Sequence, residues 1–159
     1  MIAVAADAAV RVRPLIPGDL EHVVRIDALH TAERKPAYWQ RVFSNFLDAE
    51  DGQPRVGLAA EADSQVVGYL LGEVRAFEFG SEACGWIFGV GVAPDGLRRR
   101  VASRLLAECC RRFRALGIRQ VRTMVRRDNV PVLSFFRANG FVAGRFTQLE
   151  LELDEEERE

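Results

Sequence analysis

The stretch from residue 89 to residue 102 combines the groups that proteins use to bind phosphate. Its sequence, GVGVAPDGLRRRVA, predicts the end of a strand, a proline-containing turn and the first turns of a long helix. A helix N-terminus presents unpaired N–H groups and about half a positive charge, and both attract phosphate. Arg98, Arg99 and Arg100 add donors that suit a polyphosphate. An ordinary strand-to-helix turn with a solvated run of arginines explains the same letters, so this stretch alone leaves both interpretations open.

Ten predicted elements surround this stretch and must position it. Apolar periodicity, with Pro, Gly, Asn and Asp at the breaks, predicts the order β-α-α-β-β-β-α-β-α-β. Asp19 is predicted to cap the first helix, and the glycines of the fourth strand mark a bulge or a close approach to the backbone. This order indicates a mixed α/β (α+β) domain. The predicted strands are 10–14, 56–62, 66–77, 84–92, 118–125 and 141–153, and the predicted helices are 19–30, 36–49, 97–116 and 128–139.

Three separated segments resemble motifs of the GNAT superfamily of acetyl-CoA-dependent N-acyltransferases. Residues 92–102 (VAPDGLRRRVA) are similar to its pyrophosphate-binding motif, in which Val-x-Pro precedes Gln/Arg-x-x-Gly-x-Gly/Ala. Residues 125–141 (VRRDNVPVLSFFRANGF) resemble the second motif, Asn-x-x-Ala followed by Tyr and Gly-Phe. Residues 12–20 (VRPLIPGDL) are similar to the common opening of such domains. The resemblance covers residues 11–152 and implies a GNAT-type fold, a central mixed, mostly antiparallel sheet flanked by helices.

The resemblance also implies how acetyl-CoA, as cosubstrate, would bind. Backbone groups of the splayed fourth strand would pair with the pantetheine arm, and backbone amides at the start of the long helix would hold the pyrophosphate. Arg100 departs from the motif because it stands at the first glycine, where its side chain either grips phosphate or obstructs the cofactor; retained binding is the prediction. The residues implied at acetyl-CoA are Val90, Val92, Arg98, Arg99, Arg100, Val101, Ala102, Asn129 and Phe136.

The proton-transfer residues of the family are missing from their usual positions. Phe136 stands where many members have a tyrosine that protonates the leaving thiolate. Trp86 and Met124 stand where different members have a carboxylate base. A base is needed because the attacking amine must be neutral, and the pKa of a lysine-like amine lies well above 7 in water. The remaining candidate catalytic residues are Glu73 and Glu82. Two alternatives stay open: a water relay replaces the base, or the two glutamates are merely exposed charges.

Histidine and aromatic side chains are further candidates for the acceptor side. His22 and His30 lie on the first predicted helix and can approach an acceptor, although a helical histidine is more often structural or exposed. Tyr38, Trp39 and Trp86 can line an aromatic pocket, with core packing as the alternative role for at least one of them.

Composition limits both the surroundings and the organisation of the protein. The chain has 159 residues, of which 48% are apolar, enough for one domain with a real core. No run approaches the roughly 20 apolar residues that span a bilayer, and three cysteines fit neither a disulfide framework nor a metal-ligand spacing. We expect a cytoplasmic protein without a metal, made of a loose leader (residues 1–10), the GNAT domain (11–153) and an acidic tail (154–159).

Three functions compete. The leading hypothesis is transfer of an acetyl group from acetyl-CoA to a primary amine, by direct attack in a ternary complex, with a small molecule as the expected acceptor. A GNAT-fold module that binds acyl-CoA or a partner without turnover is the alternative, favoured by the vacant catalytic positions. Nucleic-acid binding comes last, because the net charge is −1 and few aromatic residues interleave with the arginines. Leu149, Leu151 and Leu153 alternate as on a half-buried strand, which by the resemblance often lies near a homodimer contact; the sequence leaves the oligomeric state open.

Overall fold

A computed structural model describes residues 9–48, 50–94 and 98–153, which contain a five-stranded sheet. Its order is β1-β2-β3-β4-β5, and all neighbours are antiparallel except β4 and β5, which run parallel. The predicted mixed α/β class, a mostly antiparallel sheet flanked by helices, is confirmed. The strands are β1 (Arg11–Pro14), β2 (Arg55–Ala62), β3 (Gln65–Arg75), β4 (Cys84–Val92) and β5 (Val121–Thr123). The helices are α1 (Leu20–Thr31), α2 (Pro36–Leu47), α3 (Arg98–Ala115) and α4 (Val130–Ala138), with 3-10 turns at Pro17–Asp19 and Glu78–Gly80.

The chain divides into two compact units, residues 1–124 and 125–159. The first contains the five strands and α1 to α3, and the second contains α4. The start of α4 follows the prediction, since the Asn129 side chain accepts a hydrogen bond from the Val132 amide (3.4 Å) and Pro131 lies in the first turn. Gly140, with φ +90°, follows the end of the helix.

Glycines let α3 pack closely on one face of the sheet. A Cβ at Gly72 would lie 2.9 Å from the Phe113 ring, and one at Gly85 would lie 2.6 Å from it. Phe113 itself is fully buried. The apolar residues whose periodicity predicted this helix are therefore buried against the sheet as far as Phe113, whereas Leu116, after the end of α3, is half exposed. The other buried side chains of this face are Val101, Leu105, Leu106 and Cys109.

Helices α1 and α2 cover the opposite face with an apolar cluster around Trp39. This indole is 3% exposed and contacts the Tyr69 ring edge-on, with centroids 5.3 Å apart. Its Nε1 donates to the buried Asp27 carboxylate (2.9 Å), which also pairs with the Lys35 ammonium (2.9 Å). The buried charge is thus both paired and hydrogen-bonded, as its burial requires. Core packing is the role of Trp39, one of the two roles predicted for it.

Asp19 is the N-cap residue of α1, as predicted, but its side chain does not make the capping hydrogen bond to the helix. Its carboxylate instead accepts two hydrogen bonds from Arg13 (2.8 Å each) and one from the Ile16 amide (2.9 Å). Burial raises the pKa of Asp19, but these hydrogen bonds outweigh burial and leave the pKa below its ordinary value. A bidentate guanidinium is a stronger partner than one helix amide, so the carboxylate ties β1 to the approach of α1.

The predicted strands near the C-terminus differ from the structure. β5 covers three residues, 121–123, instead of 118–125. Residues 141–153 have no regular secondary structure, so the strand predicted there is wrong. A strand needs a neighbour for its backbone hydrogen bonds, and no ladder joins this segment to another described part of the chain. Leu149, Leu151 and Leu153 are accordingly between 83% and 89% exposed rather than buried on one side.

Some predictions fall outside the described residues. These are most of the leader (residues 1–8), the acidic tail (154–159) and the turn at 95–97, so the domain boundaries stay a prediction. The cysteines are free thiols, as expected. No described helix combines the length and the apolarity needed to cross a bilayer. Within the same residues, His, Cys, Asp and Glu side chains nowhere gather in a group of three that suits a metal ion.

Candidate functional site

A β-bulge interrupts the pairing of β3 with β4 in the middle of β4. Leu71 lies opposite Gly89, whereas the next residue, Gly72, lies opposite Ile87. Phe88 is therefore an extra residue on β4. Such a bulge bends its strand and increases the local twist. The glycines of the fourth predicted strand indicated a bulge here, and the structure confirms it.

β4 loses its second neighbour at the same place. β5 runs beside β4 only as far as the pair Ile87 and Thr123. The Thr123 hydroxyl closes this pairing by donating to the Ile87 carbonyl at 3.0 Å. Beyond Ile87 no described strand pairs with β4 on this side. The side of residues 88–92 that faces away from β3 is therefore without a neighbouring strand among the described residues, and we call it the open edge.

Val90 and Val92 direct their backbone polar groups into the open edge. The Ala93 amide donates to the carbonyl of Val67, the residue opposite it, at 2.7 Å, which marks that pair as hydrogen-bonded. Hydrogen-bonded and non-hydrogen-bonded pairs alternate along an antiparallel ladder, so Val92 and Val90 belong to non-hydrogen-bonded pairs. Their N–H and C=O groups consequently point away from β3. This orientation suits the predicted pairing with an extended ligand arm, and the binding itself stays a prediction.

One side chain reaches the open edge from α1. His30, exposed in the last turn of that helix, places Nε2 2.7 Å from the Val92 carbonyl oxygen. A carbonyl oxygen only accepts, so Nε2 carries the hydrogen and donates it. Sequence reasoning missed this contact, because the two residues are 62 positions apart and no motif joins them.

Tyr69 lies over the open edge on the face of the sheet that carries α1 and α2. A Cβ at Gly91 would be 2.6 Å from Cε1 of Tyr69 and 2.9 Å from its Oη, so the phenol end lies directly over this glycine. Burial raises the pKa of Tyr69 and the charge of Asp27 raises it further, which keeps the hydroxyl protonated near neutral pH. The glycine at 91 is thus required by the ring opposite it.

The aromatic residues predicted to line an acceptor pocket are only partly brought together. Tyr38, 40% exposed, contacts Trp39 edge-on with centroids 5.1 Å apart, and Trp39 contacts Tyr69 in turn. Trp86 lies instead beneath the Arg75 guanidinium, 4.6 Å from its ring centroid. Sequence reasoning missed Tyr69 as the third member of the row. The signal that finds it is Gly91, whose absent side chain makes room for a ring from the neighbouring strand.

The start of α3 offers backbone amides to a ligand. In a regular helix beginning at Arg98, the N–H groups of residues 98 and 99 have no partner within the helix. The Val101 side chain is fully buried, and a Cβ at Gly68 would lie 2.8 Å from it, so only the backbone of Val101 can face a ligand. Arg100 is exposed and Ala102 is half-buried. The side chains of the two arginines before Arg100 lie outside the described residues.

The predicted catalytic glutamates lie on different elements. Glu73, on β3 opposite Trp86, accepts a hydrogen bond from Arg75 at 3.0 Å. It shares a face of β3 with Tyr69, because residues separated by an even number lie on the same side of a strand. Glu82 is exposed in the loop before β4. Glu73 is thus the glutamate on the sheet beside the bulge, and both catalytic roles stay predictions.

Asn129 and Phe136 have local structural roles in the second unit. The Asn129 side chain caps α4, and Phe136 is 3% exposed between the rings of Phe135 and Phe141, at 5.2 and 5.0 Å. Their predicted roles at acetyl-CoA stay predictions.

Comparisons with known proteins agree with this architecture. The sequence profile of the Acetyltransferase (GNAT) family matches residues 20–141. A mycothiol acetyltransferase of Saccharomonospora viridis is 30% identical over an alignment 143 residues long, and the match covers 83% of this chain and 45% of that protein. The chain thus spans about half the length of the curated relative that it matches.

Solved structures share the fold over almost the whole chain. An aminoglycoside N-acetyltransferase, AAC(6')-Iy in complex with CoA, has a TM-score of 0.79 at 19% identity, covering 94% of this chain and 98% of its own. A transcriptional regulator from Bacillus halodurans has a TM-score of 0.75 at 18% identity, with 91% and 100% covered. AAC(6')-IG from Acinetobacter haemolyticus has a TM-score of 0.72 at 18% identity, with 91% and 99% covered. At these identities the likeness shows the fold.

Proposed function

This chain belongs to the GNAT acetyltransferase family, and from that premise we propose that it transfers an acetyl group from acetyl-CoA to a primary amine of a small molecule. The amine nitrogen attacks the thioester carbonyl carbon in a ternary complex, the C–S bond breaks, and CoA leaves as the thiolate. The observation that carries the proposal is the open edge, where backbone groups of Val90 and Val92 face away from β3.

The open edge and the start of α3 fit the two polar parts of acetyl-CoA. The pantetheine arm contains amide groups, which pair with Val90 and Val92 as a neighbouring strand does. The first amides of α3, the helix that follows β4 in the chain, bind the pyrophosphate, and the exposed Arg100 adds positive charge. One backbone segment thereby binds both parts, with the thioester end nearest the bulge.

Catalysis rests on positioning, carbonyl polarisation and a base. The N–H of Val90, beside the bulge, polarises the thioester carbonyl. Glu73, which forms an ion pair with Arg75, accepts the proton that the amine loses, either directly or through a water. Glu73→Gln should lower kcat about a hundredfold or more if it is the base. Glu82→Gln, at an exposed loop position, is the matched control; equal and small losses in both variants would instead favour a water relay.

The proposed acceptor class is taken from the similar proteins. The similar structures include the aminoglycoside acetyltransferases AAC(6')-IG and AAC(6')-Iy, and AAC(6')-Iy has also been solved with a bisubstrate analogue, CoA-S-monomethyl-acetylneamine. Small amines, including aminoglycosides, are therefore the first acceptors to test. A cytoplasmic setting and a homodimer complete the proposal.

A module that binds acyl-CoA without turnover is the second candidate. Three observations favour it: Phe136 stands at the position of the usual acid, Trp86 stands at the position of a base, and Glu73 is engaged by Arg75. Acetyl-CoA binding without acetylation of any amine would identify this function.

The decisive experiment is calorimetric titration of the full chain with acetyl-CoA, beside Arg100→Gly. Micromolar binding by the natural protein supports the proposal, and an amine panel assayed by release of the CoA thiol then tests turnover. Binding by Arg100→Gly alone would mean that the arginine obstructs the site, which favours the second candidate. If neither protein binds acetyl-CoA, the proposed function is wrong.

A further inference from the structure

Two groups can donate a hydrogen bond to the Val92 carbonyl oxygen, a ligand arm and the His30 side chain. This oxygen faces the open edge, where a strand-like ligand arm would use it as an acceptor. In this structure the same oxygen accepts the hydrogen bond from Nε2 of His30, at 2.7 Å.

The His30 imidazole and a ligand arm compete for space beside Val92 as well as for its carbonyl oxygen. A carbonyl oxygen has two lone pairs and can accept twice. An arm amide that pairs with Val92, however, must place its nitrogen about 2.9 Å from the oxygen, and an added strand lies about 4.8 Å from β4. The imidazole is already 2.7 Å from that oxygen, next to the path of the arm.

His30 is held weakly enough to be displaced. It lies in the last turn of α1, where the chain leaves the helix at Ala32 with φ 59°, and its side chain is exposed. A hydrogen bond at such a site is easily exchanged for one to water, so its net contribution is small. Displacing His30 therefore costs little free energy, but every arm that pairs with Val92 has to displace it.

We infer that His30 competes with the acyl-CoA arm for the Val92 carbonyl and so sets the affinity and entry rate of the cosubstrate. This inference rests on the proposed function. It predicts that removing the His30 side chain increases the affinity for acetyl-CoA. It is also specific to the arm, because the nucleotide end binds at α3.

The test compares two ligands across four forms of the full chain by calorimetry. Acetyl-CoA carries the arm, whereas adenosine 3′,5′-bisphosphate carries the nucleotide without it. The variants are His30→Ala, His30→Gln, whose amide can still donate to Val92, and Leu29→Ala, the neighbouring residue at 55% exposure. His30→Ala should bind acetyl-CoA about two- to tenfold more tightly than the natural protein. It should bind the bisphosphate unchanged, and the other two variants should resemble the natural protein.

The outcomes separate this inference from the function beneath it. Unchanged or weaker acetyl-CoA binding by His30→Ala overturns the inference and leaves the acetyltransferase proposal standing. Equal tightening for both ligands also overturns it, because the effect would not then act through the arm. If neither the natural protein nor any variant binds acetyl-CoA, the proposed function fails and the inference fails with it. Stopped-flow association should show faster entry in His30→Ala.

Discussion

Replacing Gly91 by alanine tests how the open edge is built. The new Cβ would lie 2.6, 2.9 and 2.9 Å from three atoms of the Tyr69 ring, whereas ordinary contacts are about 3.5–4 Å. The ring must therefore move by about 1 Å, but it is 3% exposed and lies against Trp39. Because the clash is severe and the ring is buried, the overpacking should cost about 2–3 kcal/mol, offset by about 1 kcal/mol because alanine is less flexible than glycine when unfolded. The net loss is about 1–2 kcal/mol.

The assay is thermal and urea unfolding followed by circular dichroism. At about 2–4 °C per kcal/mol for a chain of this length, Tm of Gly91→Ala should fall by about 2–8 °C. Gly18→Ala is the matched control, because no heavy atom lies within 4 Å of its added Cβ. Tyr69→Leu removes the ring atoms that clash, so the double variant should lose less stability than the two single losses combined. A Gly91→Ala protein as stable as the natural one, or strictly additive losses, would refute the reasoning.

Three further changes test the core and the ion pairs. Asp19→Asn should lower the free energy of unfolding at pH 7 by about 1.5–3 kcal/mol, because Arg13 loses its ion pair with Asp19 and keeps only the one with Glu61. The pKa of Asp19 is lowered in the folded state, so its stabilisation is present above the unfolded pKa of about 3.9 and is lost as pH falls through the folded pKa; urea midpoints across pH 3–7 should drop more steeply for the natural protein than for the variant. Phe113→Ala should cost about 3–5 kcal/mol in urea unfolding, because it empties the space facing two glycines. Burial raises the pKa of Cys109 to about 12, so mass spectrometry should find this thiol unlabelled by a thiol reagent at pH 8 until the protein unfolds.

Local chemistry predicted much of the frame. The apolar stripe of α3, the cap and proline of α4 and the turn between β2 and β3 depend on residues near each other in sequence. At that turn, Asp63 and Ser64 adopt φ 51° and 61°, as a two-residue hairpin requires. The bulge was also predictable, because glycines inside a strand mark places where a side chain would clash.

The misses share a different origin. The Asp19 carboxylate could accept from an amide in the first turn of α1 or from the upstream donors Arg13 and Ile16, and only the folded geometry decides between these two sets. The segment 141–153 alternates like a strand, but alternation cannot supply the neighbour that a strand must pair with. The His30 contact with Val92 joins a helix end to a strand end, a distance that no periodicity encodes.

The extra residue at Phe88 also shifts the phase of β4. Before it, Gly85 and Ile87 face α3; after it, the residues facing α3 are even-numbered, because Val92 lies opposite Gly68 and Gly91 lies opposite Tyr69. When the residues of β4 are replaced one by one with a charged residue, the loss of stability should alternate with a period of two, and this alternation should shift by one position at Phe88. Deleting Phe88 would make Ile87 and Gly89 neighbours, so β4 would pair regularly with β3 and every downstream residue would keep its present partner and its present side. The inserted residue thus bends the strand where the open edge begins and leaves the side that each valine faces unchanged.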